Sequence, residues 1–196
     1  MNTGLDVISV LTGLVSAATA VLGVWIKFKL DEKKHKQLNY DPASHSNIIT
    51  ALQYVADETS ADRAYILEFH NGEQYFSGRG QQKLSCTYEI VGDGISIECQ
   101  NLQNLRISNL HGLVEQIAQE KTFECADVES YKGDFSFRSF LISKGVKSMF
   151  ARPIKTLNGK IIGVICVEYV KENRKWSEDS EDFIRKQSRV ISGYLI

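Results

Sequence analysis

The sequence predicts an α+β domain, an antiparallel sheet with flanking helices, preceded by one membrane-crossing helix. Three observations carry this reading. A run of twenty residues without charge lies near the N-terminus, at 7–26. Four strand-like segments follow in two adjacent pairs rather than alternating with helices, which favours antiparallel pairing. Helical patterns open and close the remainder of the chain. Composition agrees: of 196 residues, 43% are hydrophobic and 24% charged, a globular balance.

Val7 to Ile26 reads VISVLTGLVSAATAVLGVWI, about the length a helix needs to span the hydrocarbon core of a bilayer. Trp25 stands at its end, where an amphipathic ring suits the headgroup level, and lysines begin at Lys27. The first six residues contain Asp6 but no Lys or Arg, which argues against a cleaved signal peptide. The charge bias places the N-terminus outside and the C-terminal domain in the cytoplasm, at the inner membrane as a single-pass protein. The small residues Ser16, Ala17, Ala18, Thr19 and Ala20 would suit helix pairing. Residues 27–40 form a charged juxtamembrane helical linker with five lysines against Asp31 and Glu32.

The domain is expected over 41–196. Asp41-Pro42 starts a helix whose apolar face is Ile48, Ile49, Leu52, Val55 and Ala56. Arg63–His70 reads as a strand, with Tyr65, Leu67 and Phe69 on one face and Ala64, Ile66, Glu68 and His70 on the other. Asn71-Gly72 reads as a turn and Glu73 to Gln82 as an irregular loop. Lys83–Val91 is a second strand, with Leu84, Cys86, Tyr88 and Ile90 sharing a face. Short helices are expected at Leu110–Glu120 and Ser136–Lys144, the latter closed by Gly145. Lys147–Pro153 and Lys160–Val170 make a hairpin about Asn158-Gly159. Ser177 caps a last helix that buries Phe183, Ile184, Val190, Ile191 and Leu195.

Residues 41–196 hold 18 basic and 21 acidic side chains, which excludes the basic footprint of a nucleic-acid binder. Cys86, Cys99, Cys125 and Cys166 show no metal-ligand spacing, and reduced thiols are the simplest reading. Gly78-Arg79-Gly80 alone is too weak to signal phosphate binding. No cofactor or metal is expected.

Several phrases together resemble a GAF domain: Ala61-Asp62-Arg63-Ala64 before the first strand, Gly145-Val146-Lys147-Ser148 entering the third, Ala151-Arg152-Pro153-Ile154, Asn158 through Val164, and Trp176 before the last helix. Phe69-His70-Asn71-Gly72 with Ser85-Cys86-Thr87 is similar to phage-encoded GAF-like proteins. The resemblance implies a six-stranded antiparallel sheet. The first and last helices would cover one face, and loops and short helices would roof a ligand pocket on the other. Cys86 precedes Thr87 rather than the His of bilin-binding forms, and the signature of cyclic-nucleotide-binding forms is absent.

A ligand site is expected where the first strand ends, from Glu68, His70 and Asn71, with Tyr88 and Phe150 as aromatic walls. Glu68 could instead pair with Arg63 or Arg152. The function that follows is a non-catalytic, membrane-tethered sensor or binding module for a small molecule or partner protein, working as a homodimer or through a partner. A structural or holin-like membrane protein with a ligand-free fold is the alternative, and a thiol-based free methionine sulfoxide reductase a further one.

Overall fold

The structure, a computed structural model, describes the backbone of residues 3–36, 41–75, 77 and 80–196; within these segments the side chains of 3–11, 14, 31–36, 71–74 and 81 lie outside the description. The chain forms two compact units, Met1–Asp41 and Pro42–Ile196.

The first unit is one helix, α1 (Thr3–Lys36), of 34 residues. It runs without a break through the boundary expected at residue 26. Val15, Val21, Leu22, Val24, Trp25, Ile26, Phe28 and Leu30 are all exposed on it. Among the described residues no helix is long and apolar enough to cross a membrane. The expected span 7–26 falls partly outside that description, because the side chains of residues 7–11 and 14 do.

The second unit opens with α2 (Pro42–Thr59), followed by β1 (Arg63–Gln74) and β2 (Gly80–Val91). Two short elements come next, β3 (Leu105–Arg106) and the 3-10 turn Ile107–Leu110, leading to α3 (His111–Ala118), β4 (Phe123–Cys125) and α4 (Phe135–Ser143). A hairpin of β5 (Ser148–Lys155) and β6 (Ile161–Tyr169) precedes the last helix, α5 (Glu178–Leu195). The six strands lie in the order β3-β2-β1-β6-β5-β4, and every pairing is antiparallel.

Strand alternation builds two cores from one sheet. Tyr65, Leu67, Leu84, Cys86, Met149, Ala151, Val164 and Cys166 face a roof of loops, α3 and α4, where Leu113, Ile117, Phe137 and Leu141 meet them. Ala64, Ile66, Phe150, Ile165 and Val167 face α2 and α5 through Ile48, Leu52, Val55, Ile184 and Ile191. Local caps hold the frame. The Asp134 side chain accepts from the backbone of Ser136 and Phe137 at the start of α4, and Ser177 accepts from Ser180 at the start of α5. Gly145, at φ +70°, and Gly159, at φ +80°, take left-handed conformations that close α4 and turn the β5–β6 hairpin.

Several expectations need correction. Asn71-Gly72 does not turn the chain: β1 continues to Gln74, and β2 begins at Gly80, because the two strands keep pairing past Asn71. Tyr88 and Ile90 do not share a face with Leu84 and Cys86. The ladder pairs Ile66 with Tyr88 but Leu67 with Cys86, so Thr87 is an extra residue that reverses the alternation. A similar shift pairs Ile154 with Gly163 and Lys155 with Ile161, and Ile162 packs against the helix-side core while Val164 and Cys166 belong to the roof-side one. Ile49 and Val190 point to solvent, being 48% and 45% exposed, since α2 and α5 each bury a narrower stripe than the apolar pattern suggests.

Candidate functional site

A cleft of about 750 Å³ opens where β1 and β6 part company. Their pairing ends at Glu68 and Gly163. Only glycine allows this approach, since a Cβ at 163 would lie 2.6 Å from the Leu67 carbonyl oxygen. Beyond this pair the strands diverge. Phe69, Val114 and Ile117 line the cleft from the roof side, Ile162 and Leu195 from the helix side, and Glu68, His70, Gln82 and Lys160 supply its polar groups. Its size and its mix of mostly apolar walls with a few polar groups are those of a small-molecule site.

Two of the expected residues meet there, Glu68 and His70. They share the sheet face with Ser85, which pairs with Glu68 in the ladder. His70 Nε2 lies 2.9 Å from Ser85 Oγ, and Ser85 Oγ accepts the backbone N–H of Asn104 at 2.8 Å. Asn104 holds φ at +55°, an unusual conformation for a residue with a side chain, and it is this backbone that aims the N–H at Ser85. Asn71 continues β1 opposite Gln82, and its side chain lies outside the described residues, as do Gly78 and Arg79.

Tyr88 and Phe150 lie elsewhere. The Tyr88 hydroxyl is 2.5 Å from His45 Nδ1 on α2. Phe150 is fully buried in the helix-side core, stacked on Trp176 with ring centroids 4.5 Å apart. Neither lines the cleft. The expected pocket beneath the roof is also displaced, because packed apolar side chains occupy that space.

Within this roof-side core sits a buried polar network. Glu168, fully buried, accepts from Arg63 Nη1 at 2.5 Å, from Tyr65 Oη at 2.7 Å and from Lys144 Nζ. Burial alone would raise the Glu168 pKa. The charges of Lys144 and Arg63 and the hydrogen bonds from Lys144 and Tyr65 outweigh it and hold the carboxyl below its usual value. Burial, and next the Glu168 charge, push the Tyr65 hydroxyl well above its ordinary range. Arg63 reaches further, to Glu89 at 3.5 Å and to the Ser96 carbonyl at 2.9 Å. The network thus ties α4 and the segment after β2 to β1 and β6. Glu98 also lies 3.9 Å from Arg63, so the two cations face three carboxylates, of which Glu168 and Glu89 are the most deeply buried. Neither Glu68 pairing arises: Arg63 takes Glu168, and Arg152 reaches Thr122 at 2.7 Å and Glu181 at 3.1 Å.

The cysteines are free. Burial pushes the thiols of Cys86 and Cys166 strongly up and that of Cys125 to about 11, so these three stay protonated near neutral pH. A nucleophilic thiol needs the opposite shift. Among the described residues no group of three or more His, Cys, Asp or Glu side chains is placed to hold a metal ion.

The fold is an α+β domain: one antiparallel sheet with terminal helices on one face and a helical roof on the other. The model of the GAF domain family matches residues 45–194, and the chain belongs to that family. No curated protein sequence matches it. Solved structures do. The blue-light absorbing form of the PixJ GAF domain of Thermosynechococcus elongatus superposes with a TM-score of 0.63 at 15% identity, over 82% of this chain and 89% of that one. The photoproduct state of GAF3 from Slr1393 of Synechocystis gives 0.61 at 11% identity, over 78% and 92%. The phycocyanobilin-bound GAF domain of a cyanobacterial phytochrome gives 0.60 at 16% identity, over 88% and 92%. At these identities the likeness is one of fold.

Proposed function

We propose that this chain is a non-catalytic sensory module that binds a small molecule in the cleft between β1 and β6 and signals through self-association or a partner. The cleft at the end of the β1–β6 ladder carries this reading: it gathers the polar groups of Glu68, His70 and Lys160 against apolar walls. The family and the bilin-binding structural neighbours agree with a ligand-binding role. A ligand that binds only the folded state stabilises it by about 2.7 kcal/mol at a hundredfold excess over Kd. For a domain of this size, that is a melting shift of several degrees. The test is native mass spectrometry of gently purified protein, with thermal-shift screening of the molecules it retains. Ala118 is exposed at the cleft wall, so Ala118→Trp should block the site without disturbing the core. A retained ligand whose melting shift survives Ala118→Trp would refute the location, and the absence of any retained or stabilising molecule would refute the reading.

Membrane tethering is the second part of the proposal, and its support is sequence: the uncharged run 7–26 followed by lysines. The chain should stay with membranes through alkaline carbonate extraction. Impermeant thiol reagents should leave its cysteines unlabelled in intact cells. Release by carbonate would remove the tether.

A further inference from the structure

We infer that the ligand of this cleft is an apolar zwitterion, an amino acid or short peptide with a hydrophobic body, an ammonium group read by Glu68 and a carboxylate read by His70 and Lys160. The inference rests on the proposed cleft reading and specifies its chemistry. Three features of the site carry it.

First, among the described residues the charged side chains lining the cleft are one acid, Glu68, and one base, Lys160. An anion would meet Glu68 and a cation would meet Lys160, each as a like charge in a partly desolvated site. A molecule with both charges satisfies both walls. Second, His70 is held from behind. Ser85 Oγ accepts the Asn104 N–H and lies 2.9 Å from His70 Nε2, and we take the hydroxyl as the donor to that nitrogen. A neutral imidazole that accepts at Nε2 carries its proton on Nδ1. In that tautomer His70 offers an N–H donor matched to a carboxylate. Third, Phe69, Val114, Ile117, Ile162 and Leu195 give the remaining wall an apolar surface from both faces of the sheet. That surface suits a hydrocarbon or aromatic side chain and disfavours a sugar or a polyphosphate.

The experiment uses the full-length chain and isothermal titration with four probes: the dipeptide L-leucyl-L-phenylalanine, its N-acetyl derivative, its C-terminal amide, and free L-leucine. The two capped forms keep the apolar body and lose one charge each. The dipeptide should bind, and either cap should weaken it about tenfold or more, the worth of one charge-assisted hydrogen bond. Glu68→Gln should reduce the dipeptide to the affinity of its N-acetyl form and leave that form unchanged, and Lys160→Gln should do the same with respect to the amide. Free leucine binding as tightly as the dipeptide would make the source an amino acid; weaker binding would make it a peptide. The His70 ring nitrogens, read by long-range proton–nitrogen correlation, should show the Nδ1–H tautomer, and Ser85→Ala should release it. Equal binding of capped and uncapped dipeptide, or failure of all four probes to bind, overturns the inference. A non-zwitterionic molecule retained by the protein and lost on Ala118→Trp would leave the cleft reading standing while this inference fails.

Discussion

Replacing Glu168 by Gln tests the physical account of the roof-side core most sharply. The substitution preserves shape but strips the carboxylate from between two cations, Arg63 and Lys144, that are almost wholly removed from water. Removing one partner of a buried ion pair costs roughly 3–5 kcal/mol, because the remaining charge is stranded in a low-dielectric interior. Here Lys144 loses its carboxylate while Arg63 keeps Glu89 at 3.5 Å, so a loss within that range is expected. Lys144→Met is the control. It removes one cation but leaves Glu168 bound to Arg63 and to the Tyr65 hydroxyl, so the loss should be nearer the roughly 1.5–3 kcal/mol of a single charged hydrogen bond. The double variant should cost less than the sum, since removing Lys144 relieves part of what Glu168→Gln creates. Urea unfolding followed by far-ultraviolet circular dichroism, extrapolated to water, gives all three values. If Glu168→Gln loses less than about 1 kcal/mol, or Lys144→Met loses as much as Glu168→Gln, the network does not hold the roof as described.

Acid should expose the same group. Glu168 titrates below its unfolded value of about 4.3, so its contribution is complete above that pH and disappears as the pH falls through the lower, folded value. The stability margin of the wild type over Glu168→Gln should therefore shrink below about pH 4, and a constant margin down to pH 2 would contradict it. Gly163→Ala should destabilise by about 1–3 kcal/mol, because its Cβ would press on the Leu67 carbonyl at 2.6 Å; a neutral result in urea unfolding would mean that β6 can shift. Asp134→Ala should cost about 1–2 kcal/mol in the same assay, since this carboxylate caps α4 and also accepts the Gly112 N–H of α3. The proposed homodimer would use the exposed Ile49 and Tyr54 of α2 with Val190 and Tyr194 of α5. Light scattering should show a dimer that Ile49→Lys with Val190→Lys dissociates, and a monomeric wild type would exclude it.

The strands and helices with strong periodicity were legible in the sequence, and so was the pairing of β5 with β6 about Asn158-Gly159. What periodicity cannot show is where a ladder slips. β3 and β4, two and three residues long, carry no repeat to read and exist only because a neighbouring strand offers them an edge. The strand pattern shows Glu168 only as a charge in an apolar run; its burial depends on Arg63 and Lys144, which are 105 and 24 residues away. Glu68 and His70 were recognisable as polar residues on an otherwise apolar strand. Their cleft partners Val114, Lys160, Ile162 and Leu195 lie on α3, the β5–β6 turn, β6 and α5, and only the tertiary fold assembles them. Phe150 and Tyr88 stand outside the cleft: an aromatic residue signals burial without saying which of two cores receives it.

The extra residue at Thr87 means that β2 is read in two frames. Before it, odd-numbered positions face α2 and α5 and even ones the roof; after it, the assignment is exchanged, so Leu84 and Cys86 serve one core and Tyr88 and Ile90 the other. Substitutions along this one strand would therefore report on different halves of the domain according to which side of residue 87 they fall. Deleting Thr87 would leave both halves facing as they do, because Cys86 would still meet Leu67 and Tyr88 would still meet Ile66 in an uninterrupted ladder. Keeping Thr87 but drawing it into the regular ladder would be the harsher change: it would drive Tyr88 and Ile90 into the packed interior under the roof and turn Glu89 away from Arg63.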